Sequence, residues 1–257
     1  MERIEKGFRT SINNAFSKLT SSKENERRLA GITLRRLHLK NEDMNYLVSE
    51  AEVQILTKQI ESEKKLAAQV AEVSALSEVS HFLENKSLEP LVSDLLKKLQ
   101  TDKYDREVIL EAQYQTHLLK NSDEAKDYVV FEKMGLKKSD FVKTNTIFGH
   151  AVWDFAELDY NALTAKRDVV TAALKKLLVQ KTDIVVLLEA LDVVSTIKSS
   201  ATLVLPEVTK LADHEFWRIR SLSVEILFQA GQLSLITADT KKKLMSDRIT
   251  EVQDKVK

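Results

Sequence analysis

The chain has no cysteine. Disulfides, thiolate nucleophiles and zinc–thiolate centres are therefore excluded. It has only 5 Gly and 2 Pro in 257 residues. So few turn-forming residues leave little room for hairpins and point to helices. Charge of one sign is also missing, with 39 basic and 39 acidic side chains. A basic footprint spread over the whole chain, as nucleic acid would require, is absent. No apolar run approaches the length of a membrane span. The best, IVVLLEALDVV (184–194), carries Glu189 and Asp192 within it. The opening MERIEKGFRTSINNAF has no apolar core of a secretory signal, so the expected location is cytoplasmic. No GxGxxG, P-loop, GxSxG or HExxH occurs. The expectation is a non-enzyme with no cofactor and no metal.

What the chain does have is repetition. Residues 96–112 (LKKLQTDKYDREVILEA) return ungapped as 174–190 (LKKLLVQKTDIVVLLEA), 78 positions later. Twelve of the 27 positions from Leu96 to Ser122 match their counterparts. Half of that spacing, 39, lies in the range of paired-helix repeats. Ala112, Ala151 and Ala190 stand on that ladder. Four residues earlier come Val108, Ile147 and Val186; three earlier, Ile109, Phe148 and Leu187; seven later, Leu119, Leu158 and Ile197. These offsets lie on one face of an α-helix. A small residue at the centre of the face admits a neighbouring helix, and the larger ones fill the groove.

Each such helix has an amphipathic partner upstream: 88–100, 124–137 and 163–178. A further pair is expected over 201–213 and 214–231, with Ile219, Ser223, Ile226 and Leu227 inward and Gly231 as the stop. TADTKKKLMSDR and ITEVQDKVK form a last pair. Backward, the ladder reaches Val73, with Val70 and Leu76 near it, and Leu34, with Ala30 and Leu37. Residues 43–83 could be one long helix, but the favoured reading breaks them near Glu61–Ser62–Glu63, with Ser62 as an N-cap.

The chain thus resembles the HEAT/armadillo-like helical repeat family. The resemblance rests on the 39-residue period and on D213-HEFWRIRSLS-V224, where Asp213, Ile219, Arg220 and Ser223 occupy the family's Asp, Val, Arg and Ala places. Pro90 and Pro206 both fall early in first helices. Asp105 and Asp183 keep the acid of other units, with Ile109 and Leu187 in the Arg place. The resemblance implies an all-α, right-handed superhelix of about six helical pairs. It would be a single domain over 1–257, with a basic N-terminal part (1–87), clear repeats (88–231) and a C-terminal cap (232–257). It also implies a scaffold or adaptor that binds a protein partner along its second helices.

The exposed side of those helices lies opposite the Ala column. Tyr114, Trp153 and Asp192 stand there at one offset and His117 at another, forming the expected partner-binding ridge. Aromatic side chains dominate such hot spots. The alternative packs Trp153 in the core with Phe148 and Phe155. Trp217, Arg218 and Arg220 either extend the ridge or, for Arg220, make an inter-repeat salt bridge. Residues 1–40 hold ten basic and four acidic side chains. Within them Arg28 and Arg35 share a helix face, flanked by Arg27 and Arg36, as a candidate site for an anionic partner. The family also includes DNA-base glycosylases, so a nucleic-acid-binding protein is the second reading, and a subunit of a larger assembly the third. His150 and Asp154 share a face at metal-ligand spacing, but a hydrogen-bonded pair accounts for them equally. His38, His81, His117 and His214 are isolated and read as structural or solvated.

Overall fold

A computed structural model describes residues 2–37, 46–120, 160–197 and 202–256. Among these the chain is helical. The one extended contact is an isolated parallel bridge between Val48 and Leu83. The chain divides into two compact units, Met1–Ser122 and Asp123–Lys257.

The first unit contains α1 (Glu2–Lys18), α2 (Glu24–Leu34), α3 (Glu50–Ser62), α4 (Leu66–Val73), α5 (Leu76–His81), α6 (Glu89–Leu99) and α7 (Arg106–Lys120). Helix α1 packs on α2, α3 on α4, and α6 on α7; α2 then packs on α4, and α4 on α7. Helices therefore pair, and the second members of successive pairs pack side by side. The local sequence explains the boundaries. Ser49 and Glu52 form a reciprocal capping box at the start of α3. Pro90 sits in the first turn of α6, where its missing N–H costs nothing. Asp105 accepts from the Glu107 N–H at 3.1 Å and so opens α7.

The second unit contains α8 (Tyr160–Leu177), α9 (Ile184–Ile197), α10 (Leu205–Leu211), α11 (Trp217–Gln229), α12 (Ala238–Met245) and α13 (Thr250–Gln253). The order of contacts is the same: α8 on α9, α10 on α11, α12 on α13, with α9 on α11 and α11 on α13. Asp183 opens α9 as Asp105 opens α7, accepting from the Val185 N–H at 3.0 Å. Gly231 closes α11 with φ 65°. The Gly231 N–H donates to Phe228 O at 2.9 Å and the Gln232 N–H to Leu227 O at 2.8 Å, a Schellman motif.

Most of the expected inward stripe forms the core where it is described, while Ile109, Leu119 and Val186 of it are only half-buried. Leu34, Val73, Val108, Ala112, Leu187, Ala190, Ile219, Ser223, Ile226 and Leu227 are all buried. Each fully buried Leu or Ile contributes about 2 kcal/mol over an exposed one. The rung at Ala151 lies outside the described residues.

The favoured break within 43–83 falls where expected, since α3 ends at Ser62 and α4 begins at Leu66. One expectation is corrected: Ser62 is not the cap. Its hydroxyl donates back to Gln59 O at 3.2 Å. The Glu63 carboxylate instead accepts from the N–H groups of Lys64 (2.9 Å) and Lys65 (2.8 Å).

The period also differs between the units. In the first, lateral hydrogen bonds join residues 36 to 39 apart: Arg27–Glu63, Glu61–Lys98, Ser77–Gln115 and Arg35–Ser74. In the second they join residues 27 to 30 apart: Arg220–Asp247, Gln180–Lys210, Asp213–Lys243 and Glu225–Lys255. Shorter first helices contribute, since α10 has 7 residues and α12 has 8, against 13 in α3 and 11 in α6, and so does the shorter link before α12, residues 230–237 against 35–49 before α3.

Candidate functional site

Tyr114 and His117 lie on α7, both half-buried and both engaged in contacts. Asp192 lies on α9 and is exposed. Trp153, and the pair His150 and Asp154, fall outside the described residues. Tyr114 and His117 thus share one helix, while Asp192 belongs to the other unit. Helix α4 departs from the expected pattern of an exposed second-helix face. Every residue from Ala67 to Val73 is buried, so α4 offers nothing to a partner. Trp217 does not extend a ridge either. It is 5% exposed, and the Arg218 guanidinium stacks over its ring at 4.8 Å.

A groove of about 500 Å³ opens where α5, α6 and α7 meet. Ser77, Ser93 and Thr116 supply hydroxyls to it, Glu89 and Lys120 charge, and Leu118 an apolar rim. Lys86, also in its wall, donates to the carbonyl of His81 at 3.0 Å and so caps α5.

The four arginines of the basic segment have different surroundings. Arg27 is committed internally: its Nη2 donates to Glu63 Oε1 at 3.0 Å, its Nε to Glu63 Oε2, and its Nη1 to Ser21 O at 2.8 Å. Arg28 donates to Asn25 Oδ1 at 3.0 Å. Arg35 reaches Ser74 Oγ at 3.5 Å. Arg36 is exposed.

Arg220 repeats the Arg27 arrangement in the other unit. Each arginine is the fourth residue of its helix. Each sends Nη1 to the carbonyl six residues back, to His214 O at 2.8 Å in the case of Arg220. Each holds a carboxylate of the next pair with its other two nitrogens. For Arg220 the partner is Asp247, at 2.8 and 2.9 Å. Each acid stands three residues before the next second helix and accepts the N–H two residues on, Ile249 at 2.9 Å for Asp247. Arg220 is thus an inter-pair salt bridge, but Asp213 is not its acid. Asp213 lies on the exposed turn and takes Lys243 at 2.7 Å. The guanidinium in the first turn of α11 points forward to the following loop.

Glu72 was not singled out by sequence reasoning. It lies on α4, is 0% exposed, and neither carboxyl oxygen has a hydrogen-bond partner. Burial, and then the neighbouring Glu63 charge, push its pKa up to about 9, against the opposing influence of Gln59 and Arg27. Glu63 moves the other way. Burial raises its pKa, but bonds from Arg27 and from the Lys65 and Lys64 N–H groups outweigh this and hold it below the usual carboxylate range. A Glu within an Ala/Val-rich helix was the available signal, and it reads equally well as a solvated position until packing is known. His214 is structural, as expected: it is buried, and its Nδ1 accepts the Phe216 N–H at 3.0 Å.

No protein-family model and no curated protein matches the chain. Among solved structures, the crystal structure of an engineered protein is similar at 16% identity, over 100% of this chain and 94% of that one, with a TM-score of 0.32. A likeness at that level assigns the chain to no family.

Proposed function

We propose that the chain is a non-catalytic scaffold or adaptor. In this reading its helical pairs, about six, form one right-handed HEAT-like superhelix that presents second-helix surface to a protein partner in the cytoplasm. The observation that carries the reading is the repeated arginine staple. Arg27–Glu63 and Arg220–Asp247 lock successive pairs in the same register in both units. A device reused in this way suits a stack whose purpose is a rigid, extended surface. With α4 covered, α7 is the proposed carrier of the ridge in the first unit, through Tyr114 and His117, and Trp153 and Asp192 remain the candidates that the sequence offers in the second. The internal engagement of Arg27 weakens the alternative of a nucleic-acid-binding protein, because it removes a cation from the basic segment.

The test is capture of partners by the intact chain with and without nuclease, followed by Tyr114→Ala plus Trp153→Ala. A stoichiometric protein that survives nuclease and is lost in the folded double variant supports the reading. Binding unchanged in that variant sinks the ridge. Recovery that collapses with nuclease, and falls steeply with salt, favours phosphate contacts instead.

A further inference from the structure

Two buried carboxyl groups, Glu63 and Glu72, feel the charge of one guanidinium, that of Arg27. Glu63 takes its Nε and Nη2, while Nη1 goes to Ser21 O, and Glu63 also accepts from the Gln59 amide at 3.0 Å and two backbone N–H groups. Glu72 is left with no hydrogen-bond partner in the packed interior. A carboxyl group in that position holds its proton more tightly than usual, because the charged form loses water and Gln59 and Arg27 offset only part of that loss. The backbone beside it has no slack. A methyl group at Gly31 of α2 would stand 2.7 Å from the Glu72 nitrogen.

We propose that Glu72, Glu63 and Arg27 form a proton-operated latch on the α2–α4 contact. With Glu72 protonated, Arg27 is held by Glu63 and the latch is closed. When that proton leaves to solvent, the new carboxylate competes with Glu63 for Arg27 and the contact opens. Helices α2, α3 and α7 all pack on α4. From α2 comes Arg27, and from its C-cap Arg35. From α3 and the turn after it come Gln59 and Glu63. From α7 come the buried Glu107 and Glu111, the latter accepting from Gln115 at 2.9 Å. Arg27 and Arg35 are the two cations in this set. The charges that act on Glu72 are those of Glu63 and Arg27, so ionising Glu72 would set two carboxylates against one guanidinium.

The latch is tested on the intact chain by amide exchange between pH 7 and pH 10, corrected for the intrinsic rate. Once Glu72 ionises, the protection of α2 and α4 amides should fall by up to about tenfold per pH unit beyond any loss in α9 and α11. Glu72→Gln should keep that protection within about twofold over the same range. Equal loss in wild type and Glu72→Gln overturns the proposal. Should the variant fail to fold, infrared spectroscopy of the wild type decides. A carboxylic-acid carbonyl band at pH 7 that vanishes together with the protection supports the latch. No such band at pH 7 overturns it.

Discussion

Gly31→Ala pits two opposite effects against each other, and the structure says which one wins. In an isolated helix the change is favourable by about 1 kcal/mol, because Ala loses less backbone freedom than Gly. In this molecule the new Cβ would lie 2.6 Å from the Ala71 carbonyl carbon, 2.7 Å from its oxygen and 2.7 Å from the Glu72 nitrogen. Ordinary carbon contacts need about 3.5 Å. Helix α2 must therefore retreat from α4 by roughly 0.8 Å, because the obstacle is backbone and not the end of a flexible side chain. A gap of that size forfeits a quarter to a half of each contact along the interface, including those of Ala30 and Leu34. Overpacking of this kind costs about 3 kcal/mol at its upper end. The net expectation is a loss of about 2 kcal/mol, or roughly 8 °C in the midpoint of the first unit. Both tryptophans, Trp153 and Trp217, fall in Asp123–Lys257. Their fluorescence is therefore no direct probe of the first unit. Amide exchange of α2 and α4 in urea should report the loss. Protection unchanged, or raised as helix propensity alone would require, refutes the close approach.

Gly231→Ala has open space around its Cβ but keeps a backbone at φ 65°. It should cost about 1 kcal/mol, this time in the Trp-reported unfolding of the second unit. Arg220→Ala should cost about 3–5 kcal/mol, because it strands Asp247, whose side chain is 9% exposed. Arg220→Lys should recover little, since an ammonium cannot hold both Asp247 oxygens and the His214 carbonyl in one plane; a double-mutant cycle with Asp247→Ala reads the coupling. Glu63 has a folded-state pKa below its ordinary value. Its contribution is therefore present above pH 4.5 and lost as pH falls through the folded value. Acid unfolding followed by exchange of α2 and α4 should lose that limb in Glu63→Gln.

Helices and their inward stripes were legible in the sequence. A side chain's place on a helix follows from its spacing alone, and Ala112, Ala190, Leu34, Ile219 and Ser223 are buried as their offsets required. Punctuation was legible too. Pro90 and Pro206 sit in first turns, Gly231 closes α11, and Asp105 and Asp183 open their helices. These are local effects, complete within a few residues of chain. Which groups meet across the stack was not legible. Asp213 lies seven residues before Arg220, yet the acid that binds it is Asp247, because a guanidinium in the first turn faces the next loop. Charge on a helix reads as solvated until packing is known, so the burial of Glu72 and the covering of α4 were invisible. The sequence by itself determined the helices, their inner faces and their ends, because those are settled by steric and hydrogen-bonding preferences of neighbouring residues. The tertiary structure alone decided the pairing of Arg27 and Arg220, the exposure of each second helix and the burial of Glu72, because each depends on how far a side chain is from water and from groups dozens of residues away.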